Sequence, residues 1–534
     1  MKRNIINLLI TIVVGLITFY ITLPAINLNN PGFYVFISFL ILVFGVLDAI
    51  TSQKVEVIKK GSKSTFRYAK FGGKFPLCIG IVVGIFILSI IINFICSPVF
   101  NAKSYQTRIT VEEGNFTEDI EEVNFNQLPL LDKTSSQVLG DRVMGEISEL
   151  VSQFYVSDLY TQINYNNEIL RVTPLEYADF FKWLSNKKEG IVGYITVNSV
   201  NGESKLNRLG KGMKYVSSAY FNDNLERKLR FSYPTENFGK ISFEIDNEGK
   251  PYYIVPTIKY TAFGLKAKVT GVIIFDPVTG ESKKYKLDDI PTWVDIAYSA
   301  SLIIEQVDDW GTYKNGFWNS IFGQKNVVNT TEGYNYLAMN DDIYLYTGIT
   351  SVVSDESNLG FILTNMRTGK TTYYNVPGAE EYSAMNSAEG QVQDMRYTST
   401  FPLLINLNNR PTYLVSLKDS NGLVKMYGFI DVKDYQKVTV TDASKGIVVA
   451  KDNYLKAMKT EAKDEELKIE EIKVNEIKEA TINGYTYYYI SSGDKKFKVS
   501  ISLSDKLPFI KTGDTIKIGY YDIEKDIIEI EKIY

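Results

Sequence analysis

Carboxylates are the first candidates for chemistry in this 534-residue chain, because the sequence contains no histidine and only two cysteines. Both cysteines, Cys78 and Cys96, fall in one apolar stretch. Catalytic triads built on histidine, and zinc sites built on histidine or thiolate, are therefore excluded from the polar part of the chain. Paired carboxylates, Ser–Lys pairs and tyrosine are the chemistry that remains.

Neighbouring acids are the first candidates for a catalytic pair. Glycosidases use two carboxyl groups with unequal pKa values that lie about 5–10 Å apart. The candidate pairs are Asp288/Asp289, Asp308/Asp309, Asp341/Asp342 and Glu380/Glu381. Asp341 and Asp342 lie at a predicted hairpin turn, and turn formation explains this pair more simply than catalysis.

Two shorter patterns also bear on chemistry. Ser-x-x-Lys occurs at Ser185–Lys188 and Ser492–Lys495, in polar stretches that lack the companion motifs of Ser–Lys enzymes. Asp246–Gly249 and Asp419–Gly422 resemble fragments of calcium loops but do not continue to the bidentate glutamate. The sequence therefore predicts no catalytic residue, no metal site and no cofactor.

An aromatic segment is the candidate recognition site. Residues Asp308–Phe322 hold two of the four tryptophans, with further rings between glycines. Rigid rings bury a large area at small entropic cost, which suits recognition of a partner. The alternative is that these rings fill the seam between two repeats. The candidate partner-binding residues are Trp310, Tyr313, Phe317 and Trp318.

Three apolar stretches define a predicted transmembrane region over residues 1–97. Ile5–Ile26, Phe33–Ile50 and Leu77–Cys96 are each close to the ~20 residues that a helix needs to cross a bilayer. A cleaved signal peptide is the alternative for the first stretch, but no small-residue cleavage site follows it. We therefore expect three membrane-spanning helices.

Charge predicts the orientation of these helices. The loop between the second and third stretches is rich in Lys and Arg, whereas the loop Asn27–Phe33 carries no charge. Cytoplasmic loops collect Lys and Arg, so the N-terminus is predicted to be cytoplasmic and the chain from Pro98 onward extracytoplasmic.

Composition limits the partners. The first 97 residues carry a net charge of +7, so the chain total of −4 leaves −11 for the remainder. A surface of that sign does not suit nucleic acid, whose binding needs cationic contacts to phosphate. Without cysteines the exported part has no disulfides and depends on burial for its stability. Many Lys, Ile, Asn and Tyr and few Arg indicate an AT-rich genome, and an exported chain without cysteine fits a Gram-positive envelope.

Residues 101–236 are predicted to form a mixed α+β domain. Apolar residues within Leu139–Tyr155 recur on one helical face. A second helix is predicted over Thr173–Leu184, with Thr173 as N-cap, Pro174 at the first helical position and Glu176 completing a capping box. The run Gly193–Asn198 is typical of a strand.

Residues 237–450 repeat one pattern three times. Each copy reads as strand, polar turn, strand, loop and a third strand that opens with glycine, which is a β-meander. Helix-like segments accompany the first two copies, so a helix plus a meander is the expected unit. The third strands are Gly271-Val-Ile-Ile-Phe-Asp-Pro-Val-Thr-Gly-Glu281, Gly360-Phe-Ile-Leu-Thr-Asn-Met-Arg-Thr-Gly-Lys370 and Gly428-Phe-Ile-Asp-Val-Lys433.

Two regions complete the predicted α+β fold. Residues 451–479 are highly charged, and Lys463–Lys473 is typical of a solvated helix or linker. Residues 480–534 alternate polar and apolar residues in four or five short strands, which predicts a small closed β-barrel, OB-like or SH3-like. The predicted architecture is a three-helix anchor, helix-plus-antiparallel-sheet repeats and a small barrel.

The run Gly271–Glu281, with Pro251-Tyr-Tyr-Ile-Val255 before it, resembles the PepSY domain, a small helix-plus-sheet module of bacterial secreted and membrane proteins. The later copies depart from it, since Asn365 replaces the Asp, Lys370 replaces the Glu and the third copy lacks Thr-Gly. Residues 126–440 also resemble an uncharacterised family of membrane-anchored Gram-positive proteins. The PepSY resemblance implies protein or peptide binding and brings no catalytic residue.

These patterns predict a non-enzymatic, membrane-anchored extracytoplasmic protein that binds or scaffolds another envelope protein or a peptide. A carboxylate-based hydrolase of wall polymer and a structural spacer are the alternatives. An acid pair facing a deep cleft would favour the hydrolase, and an exposed patch at Trp310 and Trp318 would favour the binding protein.

Overall fold

Three apolar helices open the chain: α1 (Lys2–Thr22), α2 (Pro31–Ser52) and α3 (Phe75–Ile95). Each is long and apolar enough to cross a membrane, which agrees with the three predicted spans and indicates a membrane protein. The computed structural model describes residues 2–52, 55–60, 63–68, 73–125, 128–352, 354–461, 468–482, 485–504, 506–520, 527–530 and 532–534.

The surface of these helices is apolar. Large side chains along them, such as Leu16, Val35 and Phe86, are exposed. Contiguous exposed apolar surface of this extent is stable only where lipid covers it.

A buried carboxylate joins the ends of α1–α3 that are remote from the rest of the chain. The N–H of Lys74, just before α3, donates to Asp48 Oδ2 over 2.6 Å, and Arg3 Nη2 lies 3.5 Å from Asp48 Oδ1. The carboxylate thus stabilises the N-terminus of α3, where the helix dipole favours negative charge. The basic loop after α2 forms a hairpin of β1 (Val55–Lys60) and β2 (Lys63–Tyr68).

A linker leads from α3 to the repeats through α4 (Pro98–Gln106), β3 (Val111–Gly114) and α5 (Phe116–Asp119). The Tyr105 hydroxyl donates to the Cys96 carbonyl over 2.8 Å. This bond holds the last turn of α4 close to the end of α3.

Four repeats with one plan follow, each a helix, a short strand and a four-stranded antiparallel meander. The short strand pairs with the far end of the second meander strand in every repeat. Repeat A contains α6 (Lys133–Glu146), α7 (Ser148–Val151), β4 (Phe154–Val156), β5 (Thr161–Tyr165), β6 (Glu168–Tyr177), α8 (Phe180–Asn186), β7 (Ile191–Asn198) and β8 (Ser204–Met213). Repeat B contains α9 (Leu225–Ser232), β9 (Asn237–Phe238), β10 (Ser242–Ile245), β11 (Pro251–Thr261), β12 (Lys266–Phe275) and β13 (Ser282–Lys286).

The remaining two repeats use the same order of elements. Repeat C contains α10 (Ala300–Thr312), β14 (Val328–Thr330), β15 (Asn335–Met339), β16 (Asp342–Ser351), β17 (Ser354–Asn365) and β18 (Thr371–Tyr374), and β19 (Gly378–Ala379) pairs with β17. Repeat D contains α11 (Glu381–Gly390), β20 (Thr398–Ser399), β21 (Leu403–Leu407), β22 (Arg410–Lys418), β23 (Val424–Asp431) and β24 (Val438–Asp442). The structure therefore shows one repeat more than the three that the sequence predicts.

The same turn closes the third strand of all four repeats. A side-chain oxygen of Asn198, Asp276, Asn365 or Asp431 accepts hydrogen bonds from the N–H groups two and three residues further on. Asn and Asp serve equally in such a turn, because either carries the required acceptor oxygen. The Asn365 substitution therefore leaves the turn of repeat C intact.

Two helix predictions in repeat A need correction. Over Thr173–Leu184, residues up to Tyr177 belong to β6, and α8 starts at Phe180 with Asp179 as its N-cap. The buried strand environment overrides the capping-box pattern, since β6 is buried along nearly its whole length. The helix predicted over Leu139–Tyr155 begins earlier, as α6, and its last residues form β4.

The sheet of repeat B lies between its neighbours. Tyr253 and Val255 on β11 pack into a core shared with repeat A, whereas Ile254 between them packs into a core shared with repeat C. A strand segment buried on both faces has no polar face, which explains the apolar runs Tyr252–Val255 in β11 and Val272–Phe275 in β12.

Repeat B also contacts the end of α1. Arg227 Nε donates to the Tyr20 carbonyl over 3.2 Å, and Arg230 Nε donates to the Leu23 carbonyl over 3.0 Å. The Arg227 guanidinium lies 4.2 Å from the centre of the Tyr20 ring. These charges satisfy carbonyl groups that a helix end leaves without partners.

The β11–β12 hairpin contacts the other two membrane helices. The Phe263 N–H donates to Asn93 on α3 over 3.2 Å, and the Phe263 ring centre lies 4.7 Å from that of Tyr34 on α2. The repeat domain is thus seated on all three helices.

A second compact part spans Asp452–Tyr534, and α12 (Ile447–Glu461) leads into it. Its strands form two sheets, β25-β29-β31 and β26-β27-β28-β30, around one core that includes Phe497, Leu507 and Tyr520. The strands are β25 (Lys468–Lys473), β26 (Glu476–Ile482), β27 (Tyr485–Ser492), β28 (Lys495–Ser500), β29 (Thr515–Tyr520), β30 (Ile528–Glu529) and β31 (Lys532–Ile533).

Two sequence predictions fail in this part. The described strands do not close into a barrel, because no pairing joins the edges of the two sheets within the described residues. Lys468–Lys473 forms a strand instead of the predicted charged helix or linker, with Ile472 buried in the core. Residues 463–467 of that prediction lie outside the described residues.

Truncation after Thr460 is expected to leave the repeats folded, because the two compact parts have separate cores. In detergent, the shortened protein should keep a cooperative melt within about 3 °C of the intact chain. Circular dichroism measures this, and a loss of cooperativity would show that the C-terminal part completes the repeat core.

Candidate functional site

The aromatic segment 308–322 begins on a helix that runs toward the membrane. Tyr105 and Arg108 follow each other away from α3, and they contact Tyr313 and Asp309 in the opposite order along α10. The helix α10 is therefore antiparallel to α4, and its C-terminal end lies nearest to the end of α3. The residues after α10 continue from that end.

A charged cluster fixes this arrangement. Arg108 Nη1 contacts Asp309 and lies 3.0 Å from Glu305, and its Nη2 donates to the Ala267 carbonyl over 2.7 Å. Lys266 lies 2.8 Å from the same Glu305. Because Arg108 and Asp309 are nearly buried, their attraction is screened less than that of a surface pair.

The structure divides the four candidate recognition residues into two groups. Trp310 on α10 and Tyr313 just after it are partly buried. Trp310 packs against the core shared by repeats B and C, and Lys314 Nζ lies 3.7 Å from the centre of its ring. Phe317 is partly buried, and Trp318 is 63% exposed. Trp318 is therefore the most exposed of the four candidate residues.

An exposed apolar turn extends beyond the predicted residues. Residues Asn319–Gly323 form one turn of π-helix, and the ring of Phe322, which is 78% exposed, stacks on Trp318 with centres 5.9 Å apart. Ile321 is exposed beside them. We call Phe317, Trp318, Ile321 and Phe322 the aromatic turn.

Members of three of the four acid pairs have structural contacts. Asp341 has a left-handed backbone in a hairpin turn, as predicted, and Asp342 forms a two-point ion pair with Arg367. Asp308 accepts hydrogen bonds from the N–H and hydroxyl of Thr330. Glu381 is buried and accepts from Tyr346 and Asn358. Asp288 and Asp289 lie in a short 3-10 helix.

The serine, lysine and calcium-like patterns also have structural roles. Ser185 bonds to the Phe181 carbonyl within α8. Hydrogen bonds to Glu470 and Tyr520 raise the pKa of Lys495, which is the wrong direction for a general base. Asp246 and Asp419 each accept from N–H groups of their own turns.

A pair of buried carboxyl groups, not singled out by the sequence, lies where repeats A, B and C meet. Glu244 accepts from the N–H groups of Asp295 (2.8 Å) and Ile296 (3.1 Å), and Asp295 accepts from the Asn164 N–H (2.8 Å). Burial raises the pKa of Glu244 to about 7, and burial together with the charge of Glu244 holds the pKa of Asp295 well above its usual range. Both side chains are almost completely inaccessible, so they tie the repeats together and do not face a substrate.

A cavity of about 430 Å³ opens beside α1. It is lined by Tyr20, Ser217, Ser218, Ala219, Tyr220, Phe221, Asn224 and Arg227. None of these described lining residues is a carboxylate, so they do not supply the acid pair of a glycosidase.

Unpaired strand edges are a further candidate surface. The outer strand of repeat C, β18, is covered by β3 in parallel pairing. Within the described residues, the corresponding edges of β8, β13 and β24 have no strand partner. Exposed edges of this kind accept extended peptides.

Comparisons with known proteins identify no family. The sequence matches no family model, and no curated protein matches it significantly. A crystal structure of an ACO/RPE65 chimera is 9% identical with a TM-score of 0.14, and the match covers 71% of this chain and 64% of that one. Similarity at this level carries no argument about fold or function.

Alanine at the two tryptophans of the segment should have different effects. Trp310→Ala removes a partly buried ring from the core and should lower the free energy of unfolding by about 2 kcal/mol or more. Trp318→Ala removes an exposed ring and should cost under about 0.5 kcal/mol. Thermal melts of the two variants check this, and equal losses would place Trp318 in a core.

The buried carboxyl pair should make stability depend on pH. The folded-state pKa of Glu244 is raised. The contribution of this carboxyl group to the free energy of unfolding is therefore fully present below about pH 4.5 and is lost as pH rises through about 7. Glu244→Gln should reduce the decline of the melting temperature between pH 5 and pH 8, which corresponds to roughly 2 kcal/mol. The exposed Glu248→Gln serves as control, and identical pH profiles for all three proteins would contradict the assignment.

Proposed function

We propose that this protein is a non-enzymatic, membrane-anchored protein whose repeats lie outside the cytoplasm and bind an extended segment of another envelope protein or a peptide. The resemblance of repeat B to PepSY modules and the basic loop between α2 and α3 support this proposal. The contacts of Asp308, Asp342 and Glu381 with neighbouring residues favour structural roles for these carboxylates.

A strand addition within the chain itself carries the proposal. β3 pairs with β18 over four residues, from Val111 opposite Thr371 to Gly114 opposite Tyr374. β18 is the fourth meander strand, and its outer edge offers backbone groups that a second extended segment can satisfy. The repeat is thus a module whose outer edge accepts a strand in parallel orientation.

The open edge of β8 in repeat A is the best place for a partner segment. At ten residues β8 is longer than β13 or β24. Lys205 and Lys211 on it are exposed, although the chain beyond residue 97 is acidic as a whole. An extended segment with acidic side chains would gain main-chain hydrogen bonds and opposite charges at this edge. The lysines also keep the edge from pairing with a second copy.

A photo-crosslinking residue placed at Lys205 or Lys211 should capture one partner in intact cells. The captured peptides should map to a single extended segment of that partner, and protease added to protoplasts should degrade the adduct if the repeats lie outside the cytoplasm. Mass spectrometry identifies the segment.

Lys433, exposed on a turn of repeat D, is the matched control and should capture nothing discrete. Absence of an adduct at both β8 positions, or equal capture at Lys433, would contradict binding at this edge. A protected domain would contradict the orientation.

A further inference from the structure

We propose that the repeat domain also binds lipid directly: the aromatic turn and a second aromatic edge around Phe221 insert into the bilayer leaflet that faces the repeats. This inference is independent of the partner site on β8. It gives the exposed rings next to α1 and α3 one occupant, the acyl-chain and headgroup boundary of the membrane that these helices cross.

The position of the aromatic turn follows from the helix that leads to it. Tyr313, which directly follows α10, contacts Tyr105. The Tyr105 hydroxyl donates to the Cys96 carbonyl at the end of α3. Because α10 runs toward the membrane, the residues after Tyr313 lie at the level of that helix end. Phe100, exposed on α4, contacts Phe94 of α3 at the same level, with ring centres 5.4 Å apart.

The composition of the aromatic turn suits a membrane interface. Trp318, Ile321 and Phe322 are exposed together on one short turn, and Lys325 is exposed after it. Tryptophan is favoured at the boundary between headgroups and acyl chains, and lysine there reaches lipid phosphates. A water-exposed patch of this kind would be costly, whereas a bilayer beside it removes the apolar surface from water.

The second edge lies beside the end of α1. Phe221 is 56% exposed, has a left-handed backbone (φ 52°), and lines the same cavity as Tyr20, which lies two residues before the end of α1. Phe181, 70% exposed, belongs to the same ring cluster through Phe180. A bulky residue rarely adopts this backbone without a compensating gain, and burial of its ring in lipid supplies one.

The two edges flank the contacts that seat repeat B on the membrane helices. Arg227 links the second edge to α1, because it donates to the Tyr20 carbonyl and to the Phe221 carbonyl. Phe221 is therefore continuous with the contacts at the end of α1, and the residues that lead to the aromatic turn are joined to the end of α3 through Tyr313 and Tyr105. A protein partner would have to displace lipid to reach them.

Brominated lipids test this inference in the full-length protein. The chain has four tryptophans, and Trp183 is buried while Trp293 and Trp310 are partly buried. The emission of Trp318 is obtained as the difference between the unmodified protein and Trp318→Phe. In vesicles of phosphatidylcholine brominated near the glycerol end of the acyl chains, this emission should fall by about twofold or more relative to unbrominated vesicles. Trp310→Phe, the matched control, should keep that quenching.

A second variant tests the other edge. Phe221→Trp in the Trp318→Phe background should restore quenching by the brominated lipid, because the new indole would occupy the same depth. If instead brominated lipid leaves the Trp318 emission unchanged and aqueous acrylamide quenches it, the aromatic turn faces water and the inference is overturned for that edge. Failure of Phe221→Trp to restore quenching overturns it for the second edge.

Discussion

The unsatisfied carbonyl groups at the end of α1 are the constraint from which the arrangement of the repeat domain follows. In lipid, backbone groups without partners are costly, and here Arg227 and Arg230 of repeat B bond to the carbonyls of Tyr20 and Leu23. Both arginines lie on α9, so this helix joins repeat B to α1, while the β11–β12 hairpin joins it to α2 and α3. Repeats A and C then cover the two faces of its sheet, which sets the direction of α10 and the position of the aromatic turn.

Buried polar groups at the junction of the repeats lower the stability of the fold but fix the arrangement of the repeats. Glu244, Asp295 and the ion pair of Asp342 with Arg367 lie among strands that could have packed through apolar residues alone. Every buried oxygen that accepts a backbone N–H here fixes one repeat relative to the next, since the bond forms only in one register. The cost is a pair of buried carboxyl groups whose pKa values are raised, so the stability of the junction depends on pH.

The sequence contains the turn pattern of repeat A as well, although the prediction of three repeats leaves this repeat out. Asn198-Ser-Val-Asn-Gly-Glu203 aligns with Asp276-Pro-Val-Thr-Gly-Glu281, and Gly193 and Gly271 each lie five residues before the turn residue. At both glycines a side chain would collide with the carbonyl of the fourth strand, so the spacing has a physical cause. The signal was obscured because α8 interrupts repeat A and Thr173–Glu176 imitates a helix start.

The sequence by itself determined the three membrane helices, the meanders and their turns, because hydrophobic runs and Asn, Asp and Gly turn residues act over a few neighbouring residues. Only the tertiary structure decided which side chains are available. Trp310 and Trp318 lie in the same aromatic segment, yet Trp310 packs on a core and Trp318 is exposed. Burial of that kind, like the pairing of β3 with β18 and the meeting of Glu244 with Asp295, depends on contacts between residues far apart in the chain, which no local pattern encodes.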